Sequence, residues 1–171
     1  MKTRVILTLC LAIVLGLAVS AHAQLIAGSP EDKAFEKILT ENNADAKEAL
    51  LLDYEKQFPQ SRVLADIYTM LMEVYRLKND ASKVTETGEK IIKIDANNVT
   101  ALIAVSRNYS LERKNLDQAI LYAQKAIEVL AKMKTQSAPS NFSAEQWKAY
   151  VDGNEQAAKG LLAYAQSLKP R

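Results

Sequence analysis

Two pairs of neighbouring carboxylates, Glu86 with Glu89 and Glu31 with Asp32, have the residue types and spacing for chemistry in this 171-residue chain. Such a pair can divide general acid from general base work when its surroundings push the two pKa values apart. Glu86 and Glu89 are three residues apart, so on a helix they share a face. The other ingredients of catalysis are scarce. The only cysteine, Cys10, and the only histidine, His22, fall within the first 23 residues. Beyond them there is no imidazole base, no thiol nucleophile and no ordinary zinc set. The glycines that follow, Gly28, Gly88, Gly153 and Gly160, are too scattered for a phosphate-cradling loop. Both carboxylate pairs therefore read as solvated helix surface, and no catalytic residue, cofactor or metal is expected.

Residues 1–23 have the three parts of a secretory signal peptide: Lys2 and Arg4, an apolar run from Val5 to Val19, and the small residues Ala21-His22-Ala23. Cleavage after Ala23 would leave Gln24 first. The apolar run is shorter than the roughly 20 residues a spanning helix needs, so no stable membrane insertion is expected after cleavage. Removing Lys2 and Arg4 lowers the 22 Lys plus Arg to 20, against 20 Asp plus Glu. A neutral chain lacks the basic excess that phosphate binding requires, which excludes nucleic acid as the expected partner. An exported domain without cysteine points to a bacterial periplasmic or secreted protein.

What positions the remaining side chains is a repeat. Tyr68, Leu71, Met72 and Tyr75 are echoed 34 residues later by Leu102, Val105, Ser106 and Tyr109. Ala81, Val84, Gly88, Ile91 and Ile92 are echoed 35 residues later by Leu116, Ala119, Ala123, Ala126 and Ile127. The spacing within each set is helical, and Asn79-Asp80 and Lys114-Asn115 supply the turns between helices. A helix, turn and helix of this kind exposes an apolar face that only a stacked neighbour can bury.

These residues resemble the tetratricopeptide repeat. Ala65 to Asn98 fits its frame, with Met72, Val84 and Gly88 departing from its preferred residues and Ala96 standing where its closing proline is usual. Residues 99–134 fit better in the second helix, where Ala119, Ala123 and Ala126 are all small. Residues 31–64 form a looser unit ending in Phe58-Pro59-Gln60-Ser61. The resemblance implies an all-α, right-handed α-solenoid of antiparallel helix pairs, about seven helices in all.

Outside the repeats, Ser29-Pro30-Glu31-Asp32 has the cap, proline and acids of a helix start. The helix after Asn42-Asn43 is expected to bury Ala46, Ala49, Leu50 and Tyr54, and Ser61 is expected to cap the next. Residues 135–142 form a polar linker. Ser143-Ala144-Glu145-Gln146 has the spacing of a capping box and opens a last helix, 143–171, expected either to cap the repeats or to stand unpaired, whose apolar seam runs from Trp147 to Leu168 with Asn154 as its one polar member. Of the seven tyrosines, Tyr68, Tyr75 and Tyr109 occupy repeat core positions, and core packing outweighs ligand stacking for them.

In the family, partners lie along a groove lined by the first helices. The matching positions here are Asp66, Thr69, Glu73 and Arg76, then Thr100, Ile103, Arg107 and Ser110. The resemblance thus implies a non-catalytic protein–protein interaction module, a scaffold or adaptor of the bacterial cell envelope, with a protein or peptide as partner. The alternative is a structural subunit or accessory component that self-associates as a weak homodimer through Trp147, Leu161, Leu162 and Tyr164 of the last helix.

Overall fold

A computed structural model describes residues 25–169, so the signal peptide assigned to residues 1–23 lies outside the described residues. Among the described residues the chain is entirely helical, with seven helices and no strand: α1 (Pro30–Thr40), α2 (Ala44–Gln57), α3 (Leu64–Leu77), α4 (Ala81–Ile94), α5 (Val99–Glu112), α6 (Leu116–Met133) and α7 (Ala144–Ser167). None of them is long and apolar enough to cross a membrane.

Local chemistry sets the helix ends. The Ser29 hydroxyl accepts the Asp32 amide at 3.1 Å ahead of Pro30. Asn43 Oδ1 accepts two amides, from Asp45 and Ala46, at 3.0 Å each. Asp80 and Asn98 cap α4 and α5. Asn79 and Asn115 take positive φ, 57° and 48°, in the two turns, where a short polar side chain tolerates the left-handed region. Arg113 also adopts it, at 54°, to end α5. The reciprocal Ser143–Gln146 bonds of a capping box open α7. That helix runs unbroken through Gly153 for 24 residues. At α3 the expectation shifts: the Ser61 hydroxyl accepts the Val63 amide, and the helix begins only at Leu64.

The chain forms two compact units, one ending at Met70 and the other beginning at Leu71. In the first, α1 packs on α2. Phe35, Ile38, Leu51 and Tyr54 are buried to within 1% of full burial, and the Phe35 and Tyr54 rings meet edge-on at 6.2 Å. The expected stripe of α2 holds in part: Tyr54 is buried and Ala46 and Leu50 are half-buried, but Ala49 is exposed, and Leu51, outside the stripe, is fully buried. Asp32 is buried too, rather than solvated, and accepts the Gly28 amide at 2.8 Å.

In the second unit α4 packs on α5, α5 on α6, and α7 on both α5 and α6. Ala119, Ala123 and Ala126 are fully buried on α6. Small side chains there bring α5 close enough for the Ser106 hydroxyl to donate to the Ala119 carbonyl at 2.8 Å, which satisfies a buried polar group. Val99 and Leu102 of α5, Ala126 and Leu130 of α6, and Val151 and Ala158 of α7 form one core cluster.

Candidate protein-binding groove

The residues assigned to the groove arrive by different routes. Asp66 and Thr69 belong to the first unit. Asp66 is exposed as a residue, while the helix surface around its carboxyl displaces water and raises its pKa. Thr69 turns its hydroxyl back to the Ala65 carbonyl at 2.8 Å.

The other six belong to the second unit. Glu73 and Arg76 are one helical turn apart on α3, and the guanidinium grips the carboxylate with two bonds, 2.7 and 2.5 Å. That grip holds the Glu73 carboxyl below its usual range. Thr100 and Arg107 are exposed on α5. Ile103 is only half exposed and packs on the core cluster that α7 completes. Ser110 is corrected outright. It is fully buried, its hydroxyl bonded to the Ser106 carbonyl at 2.7 Å, so it cannot line an open groove.

Arg76 and Arg107 are brought together at a cavity of about 340 Å³, with Asn108 and Val84 in its wall. Asn108 is held there by α4: its carboxamide donates to the Ala81 carbonyl at 3.0 Å and to the Thr85 hydroxyl at 3.1 Å. Both of its amide hydrogens are thereby used, which leaves the carbonyl as an acceptor. Arg107 forms no ion pair among the described residues, whereas Arg76 is already half neutralised by Glu73. The cavity therefore presents one unpaired guanidinium beside one fixed carbonyl acceptor.

The carboxylate pairs of the sequence are pulled apart. Glu86 is exposed and lies 3.9 Å from Lys90. Glu89 turns to the next helices and accepts the Tyr109 phenol at 2.9 Å and the Tyr122 phenol at 2.8 Å, one on each oxygen. Glu31 accepts the Tyr54 phenol at 3.0 Å. Glu55, which precedes Glu89 by one repeat period, accepts the Tyr68 phenol at 2.8 Å. The period alone could have flagged Glu55 and Glu89 as equivalent, but their phenol partners come from different repeat positions. Among the described residues no three His, Cys, Asp or Glu side chains gather where they could hold a metal ion.

On the last helix Trp147 is half-buried, stacked on Tyr150 at 5.8 Å and met edge-on by Phe142 at 5.6 Å. Val151, Ala158 and Ala165, seven residues apart, are its fully buried positions. Leu161 and Leu162 are half-buried and Tyr164 is 41% exposed. Trp147 therefore serves the core first, and of the four residues assigned to a self-association surface only Tyr164 is largely free of it.

A comparison with protein-family models finds none that matches this chain, and a comparison with curated proteins finds no significant match.

Proposed function

We propose that this chain is a non-catalytic protein-binding module, built as a tetratricopeptide-like right-handed solenoid of antiparallel helix pairs and exported to the bacterial envelope. Support for the helix pairing comes from cross-links between neighbouring helices, such as Asn108 of α5 with Ala81 at the start of α4 and Ser106 of α5 with Ala119 of α6. The observation that carries the binding role is the convergence of Arg76 and Arg107, from two successive first helices, on one cavity. An unpaired guanidinium beside a fixed acceptor suits a polypeptide, which offers carbonyl and carboxylate oxygens together with amide hydrogens.

The test is capture of envelope partners on the purified protein, followed by affinity measurement with each purified partner. Arg107→Glu should weaken binding while leaving stability within about 0.5 kcal/mol, the usual range for a surface position. Loss of folding together with binding would make Arg107 structural and remove the groove. Export is tested at the amino terminus: mass spectrometry should find Gln24 or its cyclised form first, whereas an intact Met1 start would remove the cleaved signal.

For the last helix, burial of the Val151, Ala158 and Ala165 seam against α5 and α6 favours a cap over a self-association surface. A solenoid needs such a cap where its stack ends.

A further inference from the structure

Leu77 and Leu111 leave most of their side chains in water, 65% and 60% exposed, at the same repeat position 34 residues apart. Single exposed leucines are ordinary on a protein surface. These two recur next to the residues that wall the arginine cavity. Leu77 is one helical turn on from Glu73, which Arg76 grips, and Leu111 is one turn on from Arg107, the repeat equivalent of Glu73. On each helix a leucine thus shares its face with a charged group. On the protein-binding reading of the groove, on which this inference rests, we propose that the partner is recognised by a segment carrying a single Asp or Glu among apolar side chains. The acid meets Arg107, and the apolar side chains cover Leu77 and Leu111.

Charge decides that the segment carries one acid. Of the charged groups that line the cavity, Arg76 is gripped by Glu73, and Asp80 has the Lys83 ammonium 4.0 Å away. Only Arg107 is left without an opposite charge, so its complement is one carboxylate and not a polyanion such as nucleic acid. Hydrogen bonding narrows the ligand further. The Asn108 carbonyl needs a donor beside that carboxylate, which a backbone N–H supplies and a fatty acid does not. Ala81, Val84 and Ala104 give the cavity apolar wall for the stem of the acidic side chain. At about 340 Å³ it is at the small end of ligand pockets, room for a residue or two of a chain. The leucines belong to α3 and α5, the same two helices that bring Arg76 and Arg107 to the cavity. A segment that covers both leucines crosses from one helix to the other, so its acid falls within the segment and not at a chain end.

The test is selection of random dodecapeptides, displayed on phage without a free carboxyl end, against the purified protein. The enriched sequences should share one acidic residue with leucine, isoleucine or phenylalanine near it. An amidated synthetic copy of the most enriched sequence then serves as the probe in fluorescence anisotropy. Leu77→Ser and Leu111→Ser should each weaken its binding about fivefold, with the melting temperature unchanged because both side chains are exposed. Replacing the acid of the peptide by its amide should weaken binding to the unaltered protein about tenfold and have little effect on Arg107→Ala. Binding lost in Arg107→Glu yet unaltered in both leucine variants overturns this inference and leaves the groove reading in place. Binding that Arg107→Glu leaves unaltered removes both. Enrichment of basic or uncharged sequences, or of none, also overturns it, as does a concentration-dependent dimer abolished by Leu111→Ser, which would assign the leucines to a second copy of this chain.

Discussion

Gly88 on α4 leaves no room for a side chain beside Val105 on α5: a Cβ on Gly88 would lie 2.5 Å from Val105 Cγ2. Val105 is fully buried and, being β-branched, stiff at χ1, so its side chain has little freedom to yield. The glycine thus sets how closely the two helices approach, at one of the positions where the chain departs from the tetratricopeptide pattern.

Gly88→Ala should therefore destabilise the protein by about 1–3 kcal/mol through overpacking, despite the better helix propensity of alanine. At Gly153 and Gly160 on α7 an added Cβ would meet no atom within 4 Å. Gly153→Ala and Gly160→Ala should each stabilise by up to about 1 kcal/mol, because alanine has fewer unfolded conformations to lose. Urea denaturation of the three variants measures both signs, and equal effects at all three would contradict the close contact.

Tyr75 and Tyr109 share a repeat position but differ in their surroundings. Tyr75 is 4% exposed and Lys83 sits over its ring, 4.8 Å from the centroid, whereas Tyr109 is only part-buried and tied by its hydroxyl to Glu89. Tyr75→Ala should cost on the order of 3 kcal/mol from loss of a core side chain. Tyr109→Phe should cost about 1 kcal/mol, the net worth of one hydrogen bond. Denaturation midpoints for the pair check the difference, and the reverse order would place the core elsewhere.

At alkaline pH Tyr54, Tyr68 and Tyr122 should titrate late. Burial pushes Tyr54, Tyr68 and Tyr122 up to about 12, helped in Tyr68 by Glu55 and in Tyr122 by Glu89. Their folded-state pKa lies above the unfolded value of 10.0. The folded chain thus holds more protons than the unfolded one between those limits, and stability present below pH 10 is lost as pH rises toward about 12. Tyrosinate absorbance recorded alongside circular dichroism should show these three ionising well above 10.0, together with unfolding. Ionisation of every tyrosine near 10.0 with the fold intact would refute this.

At acid pH the contact between α6 and α7 should weaken. Lys148 and then Lys134 hold Asp152 below the usual carboxylate range, and Lys134 and then Lys159 do the same for Glu155. A depressed carboxyl contributes stability above its unfolded pKa and loses it as pH falls through the folded value. Melting temperature should drop across that window, and Lys134→Met should flatten the drop. An unchanged slope in the variant would mean that solvent already screens the cluster.

Sedimentation at several concentrations tests the cap. The protein should remain monomeric through the micromolar range, and Leu162→Glu should lower stability, because Leu162 is half-buried. A concentration-dependent dimer abolished by Tyr164→Ser would favour the self-associating alternative.

Helix positions, their caps and the two left-handed asparagines were legible in the sequence, because each depends on residues within about one helical turn of itself. The capping box at Ser143 and the unbroken α7 follow from the same local rules. Which side of each helix ends up covered was not legible to the same degree. Ser110 and Ile103 sit at groove positions by count, yet α6 and α7 return from later in the chain to cover α5, and Ser110 is buried while Ile103 joins the core. Likewise Glu89 looks like any surface acid until α5 and α6 bring Tyr109 and Tyr122 to its two oxygens, 20 and 33 residues away. Local periodicity sets what a helix can bury, but the direction from which neighbours arrive depends on side-chain volumes at contacts such as Gly88 with Val105, and those are resolved only when the helices pack.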